Sequence, residues 1–141
     1  MKKILVILAA VLVVALAACS GGGVAQEEPD PVAIVQAFYK AITDKQLDAA
    51  MEYVADDALF INPTGTYTGK EEVRTNISAL VDGGFDFQLR DLVNTNGKVN
   101  YGYTLYINGE NVEEGDNGVT IVKDGKVVFD GLEEGIPDSL R

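Results

Sequence analysis

The chain contains no histidine, no tryptophan and a single cysteine, Cys19, among its 141 residues. Without histidine, the side chain that most often serves as a general base near neutral pH is missing, and so is the commonest zinc ligand. Serine–histidine triads are excluded for the same reason. One cysteine cannot close a disulfide within the chain or build a thiolate metal cluster. Basic residues are also scarce: 11 lysines and arginines stand against 22 aspartates and glutamates, a net charge of −11. Such a surface repels nucleic acid and anionic lipid headgroups, so nucleic acid is not an expected partner. Neither a resident metal nor a cofactor is expected from this inventory.

Long apolar runs are limited to one, Ile4 to Ala18, preceded by Lys2 and Lys3 and closed by small residues before Cys19. A bilayer needs about 20 apolar residues for a helical span, so this run reads as a secretory signal instead. Leu16-Ala17-Ala18-Cys19 resembles the bacterial lipobox. The resemblance implies cleavage before Cys19, a diacylglyceryl thioether on its sulfur, and a palmitate-type acyl chain on its amino group. It implies an exported bacterial lipoprotein, anchored on the outer face of the cytoplasmic membrane or the periplasmic side of the envelope. Each buried methylene contributes about 0.8 kcal/mol, so two or three acyl chains hold far more firmly than one. Lipidation of Cys19 also removes the only candidate thiol nucleophile. Ser20-Gly21-Gly22-Gly23 and the acidic VAQEEP stretch then form a flexible tether. The expected organisation is a signal peptide over 1–18, lipidated Cys19 and tether over 19–29, and a folded domain over 30–141.

Within that domain Asp30-Pro31 reads as an N-cap followed by proline at the first helical position. Val35, Phe38, Tyr39 and Ile42 recur at helical spacing, and Leu47, Ala50, Met51 and Val54 do so for a shorter second helix. Ala58 to Asn62 reads as a short strand ended by Pro63. Thr68 and Glu71 have the spacing of a capping box for a third helix bearing Val73, Ile77 and Leu80, stopped by Asp82-Gly83-Gly84. The period then changes to two. Strands are expected over 85–94, 99–107, 119–123 and 126–132, with Asn96-Gly97, Asn108-Gly109 and Asp124-Gly125 as hairpin turns. The acidic turn 110–118 reads as a solvated hairpin, lacking the ligand pattern of a calcium-binding loop.

Three helices followed by a strand meander make an α+β domain. The order of elements resembles the cone-shaped nuclear transport factor 2-like fold, which includes the SnoaL-like proteins. The resemblance covers about 30–132 and implies three N-terminal helices packed on a curved, mainly antiparallel sheet, with a pocket at the wide end. It also permits enzymes, binding modules and partner proteins alike. The stretch VQAFYKAITDKQLD…ADDALFINPTG resembles the first helix and strand of ketosteroid isomerase. In that register the isomerase's catalytic aspartate corresponds to Asn62 and its oxyanion-stabilising tyrosine to Phe38, with Tyr39 about a quarter turn away. An amide takes up no proton at neutral pH, and a phenyl ring donates no hydrogen bond. The arginine–aspartate spacing of limonene epoxide hydrolase is not matched either, because Arg90 and Asp91 are adjacent.

Two carboxylates stand out. Phe85, Phe87, Leu89, Asp91 and Val93 alternate onto one strand face, which makes Asp91 a pocket acid unless a bulge turns it to solvent. Asp130 lies in the last strand, where some SnoaL-like cyclases keep a base; the plainer expectation is an exposed strand end. Tyr101 and Tyr103 alternate with Val99, Leu105 and Ile107, facing the pocket or the core, and Tyr67 in the loop before the third helix is a weaker case. The expected pocket set is therefore Phe38, Asn62, Tyr67, Asp91, Tyr101 and Tyr103, with no catalytic residue assigned and Asp91 or Asp130 as fallback bases. Three functions follow: a membrane-tethered, non-catalytic module holding a small apolar molecule; a SnoaL-like enzyme using a pocket carboxylate; or an interaction module pairing its outer sheet face. A homodimer is compatible with each.

Overall fold

The computed structural model describes residues 28–141. The expected signal peptide, Cys19 and all but the last two residues of the tether lie outside the described residues. Helix α1 (Pro31–Thr43) begins as its sequence dictates: Asp30 accepts a hydrogen bond from the Val32 amide at 3.0 Å, and Pro31 occupies the first turn. Its apolar face, Val35, Phe38, Tyr39 and Ile42, is buried. Helix α2 (Leu47–Glu52) is shorter than expected, because Val54 opens strand β1 (Val54–Asn62). The Val127 amide donates to the Tyr53 carbonyl at 2.7 Å, so sheet pairing captures the chain at that point.

Strand β2 (Gly65–Thr68), read from the sequence as a loop, pairs antiparallel with β1. Helix α3 (Lys70–Asp82) follows, and its cap differs from the expected box: Gly69 is the N-cap and the Thr68 amide donates to the Glu72 carboxylate at 2.8 Å. Strands β3 (Phe85–Thr95), β4 (Lys98–Ile107), β5 (Glu110–Lys123) and β6 (Lys126–Leu132) form the meander. The acidic stretch expected as a hairpin turn is instead the first part of β5, where Glu113 pairs with Leu105 and Glu114 with Thr104. Its carboxylates are exposed, Glu113 at the rim of the cavity described below, and β4 supplies the ladder, so cross-strand pairing overrides weak strand propensity.

The six strands form one mixed sheet in the order β2-β1-β6-β5-β4-β3, with β1 and β6 parallel. Helix α1 packs on β3, β4, β5 and β6. Helix α3 touches β2 and β3, the two opposite edges of the sheet, so the sheet curls around the helices. The main core lies between helices and sheet. A second cluster, Val119, Ile121, Phe129 and Ile136, lies where the C-terminal turns fold back on the sheet. Strands β5 and β6 are thereby covered on both faces where they pair, which is why Val119, Ile121 and Val122 of β5 and Val127 and Phe129 of β6 are all buried.

Candidate functional site

The curl leaves a cavity of about 360 Å³ between α1, α3 and the sheet. Phe38, Ile42, Phe60, Ile77, Phe85, Phe87 and Leu105 make its wall predominantly apolar. Tyr39, Tyr101 and Asp130 in that wall, with the fully buried Thr120 behind them, form a cluster of four polar side chains from four different elements. Tyr39 of α1 donates to Asp130 of β6, 2.9 Å from one carboxylate oxygen and 3.0 Å from the other. Thr120 of β5 donates to Asp130 Oδ1 at 2.5 Å. Tyr101 of β4 places its Oη 2.9 Å from Tyr39 Oη, 3.1 Å from Thr120 Oγ1 and 3.3 Å from Asp130 Oδ1.

Strand register assembles this cluster. The Asp124-Gly125 turn sets Lys123 opposite Lys126 and Val122 opposite Val127. A bulge between Ile121 and Val122 then advances the pairing by one, bringing Thr120 opposite Asp130. On the neighbouring pair, Tyr101 lies opposite Gly118 and Tyr103 opposite Gly115. A Cβ at Gly115 would stand 2.6 Å from the Tyr103 ring, and one at Gly118 would collide with the Tyr101 ring. The two tyrosines lie flat over glycines, and only glycine admits them.

Desolvation dominates the electrostatics. Burial pushes the Asp130 carboxyl from 3.8 up to about 6, against the pull of its three hydroxyl partners. Burial, followed by the Asp130 charge, holds the Tyr39 and Tyr101 hydroxyls well above their ordinary value, so both remain donors. Tyr103 is pushed up to about 12 by burial and by its bond to Glu113, to which it donates at 2.8 Å. The cluster therefore combines one titratable carboxyl near neutrality with fixed donors, an arrangement able to accept a hydrogen bond from a ligand or to exchange a proton with it.

Phe38, Asn62, Tyr101 and Tyr103 line this cavity. Asn62 is largely occupied with its own turn: its Oδ1 accepts from the Thr64 amide at 3.0 Å and the Thr64 hydroxyl at 2.6 Å, and its Nδ2 donates to Asn76 at 3.1 Å. Tyr67 does not line the cavity; its hydroxyl bonds to Thr64 Oγ1 at 2.9 Å from within β2. Asp91 is a correction. It adopts a left-handed φ of 54° at a bulge between Arg90 and Val93, is exposed, and lies outside the cavity. The bulge resets the alternation, so Leu92 rather than Asp91 packs against the core. Arg90 is also outside the cavity, bonded to Thr104 and Asp116.

Asp130 is a correction in the opposite sense, since it is not an exposed strand end. Tyr39 and Thr120 belong to the site and were not singled out for it. Tyr39 sits beside the expected Phe38 register, yet both residues line the cavity, because a helix buried against a curled sheet presents more than one stripe to it. The available signal was polarity within apolar context: Thr120 interrupts Val119-Thr120-Ile121-Val122 and Asp130 follows Val127-Val128-Phe129.

A SnoaL-like domain model matches residues 35–130. The chain belongs to the SnoaL-like domain family. Its fold is that of nuclear transport factor 2-like proteins. A protein of unknown function with that fold from Cytophaga hutchinsonii superposes with a TM-score of 0.62 at 16% identity, over 74% of this chain and 89% of the other. An LEH-like epoxide hydrolase from M. tuberculosis gives 0.61 at 21% identity, over 71% and 78%. The epoxide hydrolase/cyclase-like enzyme SalBIII of salinomycin pyran-ring formation gives 0.62 at 16%, over 71% and 86%. At these identities the similarity establishes the fold alone. No curated protein sequence matches the chain.

Proposed function

We propose that this protein is a membrane-tethered binding module that holds a small, mainly apolar molecule in the cavity, with one polar group of the ligand engaged by Asp130. The observation that carries the reading is the 360 Å³ apolar cavity into whose wall the Asp130 carboxyl is set, held there by hydroxyl donors. Apolar wall area supplies affinity, and a few placed polar groups supply orientation. Anchoring through Cys19 would keep the domain at an external membrane surface, where apolar molecules concentrate. Native mass spectrometry of the mature protein, released from membranes of its own host, tests the binding. A reproducible non-covalent mass, lost when Leu105→Trp fills the cavity, is expected; a clean unliganded protein from several preparations contradicts it. Cys19→Ser should move the protein from the membrane to the soluble fraction, and retention at the membrane contradicts the tether.

One observation favours a second reading. Asp130 titrates near 6 beside two protonated tyrosines, which suits a base in a SnoaL-like enzyme, and relatives of this fold include proteins described as epoxide hydrolases and cyclase-like enzymes. Conversion of the recovered ligand by wild type and its loss in Asp130→Asn would establish that reading. Recovery of an unchanged ligand from both would exclude it.

A further inference from the structure

The charge balance of the cavity restricts the ligand further, on the reading that the cavity binds one. Among the described residues two carboxylates line it, Asp130 and Glu113, and neither lysine nor arginine does. The hydroxyl hydrogens near Asp130 are already committed. Tyr39 and Thr120 donate to the carboxylate, and Tyr101 has Tyr39, Thr120 and Asp130 as acceptors within 3.3 Å. Tyr103 donates to Glu113. A ligand carbonyl or carboxylate arriving here finds no uncommitted hydroxyl donor. A ligand that brings its own hydrogens finds an acceptor, because Asp130 Oδ2 is touched only by the Tyr39 hydroxyl while Oδ1 takes three contacts.

Burial without a counter-charge is costly for a carboxylate, and the protein supplies hydroxyls in place of a cation. The walls beside the carboxyl are aromatic: the Tyr39 ring lies 5.2 Å from Phe87 and 5.8 Å from Tyr101. Ring faces attract cations, most strongly where water is excluded. The net charge of −11 attracts cations to the surface as well. We propose that the cavity selects a small hydrophobic amine, bound as its ammonium ion, with the head group on Asp130 and the apolar body against Phe38, Phe60 and Leu105.

The test is calorimetric titration of the full chain in phosphatidylcholine nanodiscs with three probes of one shape: 3-phenylpropylamine, 3-phenylpropanol and 3-phenylpropanoate. At pH about 8 the amine should bind roughly tenfold or more tighter than the alcohol, and the carboxylate weakest. The titratable groups facing Asp130 are Tyr39 from α1 and Tyr101 from β4, both held protonated, and Glu113 of β5 is the other carboxylate of the wall. An alkyl ammonium stays charged below pH about 10. Lowering the pH to about 5 should therefore weaken the amine about tenfold by protonating Asp130, and leave the alcohol unchanged. Asp130→Asn should erase the preference for the amine, whereas Glu113→Gln should reduce it modestly. If Asp130→Asn fails to fold, the pH comparison on wild type decides. Equal binding of the three probes, or a preference for the carboxylate, overturns the amine assignment and leaves the binding module standing. Binding of none of them overturns both.

Discussion

The Tyr39 hydroxyl lies within 3.0 Å of both carboxylate oxygens of Asp130, joining the first helix to the last strand across 91 positions of sequence. This single donor closes the cluster from the helix side, and the sheet supplies the rest. Tyr39→Phe should leave the fold intact, cost about 1–2 kcal/mol of stability and raise the Asp130 pKa further, since the lost bond favours the ionised form. Chemical denaturation and a carbon-13 titration of the carboxyl measure the two effects. A fall in the Asp130 pKa contradicts this assignment of donor and acceptor.

The raised Asp130 pKa has a defined sign in stability. The folded state binds this proton more tightly than the unfolded chain, whose value is near 3.8. The contribution of Asp130 is therefore most favourable below about pH 4 and is lost as pH rises through about 6. Relative to Asp130→Asn, wild type should lose on the order of 2–3 kcal/mol between those limits. Urea unfolding of both proteins across this range checks it, and parallel pH curves for the two contradict it.

Gly118→Ala probes the packing that holds the cluster. A methyl group there meets the Tyr101 ring, which must move away from Thr120 and Asp130. A stability loss of about 1–3 kcal/mol and weaker ligand retention are expected. An unchanged melting temperature with full retention would show that the Tyr101 ring does not need the glycine.

Asp91→Asn serves as the contrast, because asparagine tolerates the left-handed φ of 54° as aspartate does. Its side chain is exposed and outside the cavity, so ligand binding should equal that of wild type, with stability changed by less than about 1 kcal/mol. Loss of binding in this variant would return Asp91 to the site.

Much of the fold was legible because local chemistry and tertiary structure agree in it. Asp30-Pro31 starts a helix wherever it stands. The three hairpin dipeptides adopt the positive φ angles that their residues tolerate, Asn96 at 52° and Gly97 at 85° among them. The site was less legible because two bulges shift the register by one residue each. The bulge at Asp91 removes a carboxylate from the cavity, and the one after Ile121 brings Thr120 beside Asp130. Strict alternation is what a strand pattern offers, and a one-residue slip reverses the face of every residue beyond it. The enclosure of Asp130 depends on α1 packing over β6, which brings Tyr39 onto its carboxylate and which no local pattern encodes.

The central claim, that a half-buried carboxyl in the wall of an apolar cavity is the functional centre, is tested most directly by the carbon-13 titration of Asp130 in the full chain. The account predicts a midpoint near 6, together with a marked shift of that resonance when 3-phenylpropylamine is added. A midpoint near 3.8 and a resonance indifferent to the amine would place Asp130 in contact with solvent and contradict it.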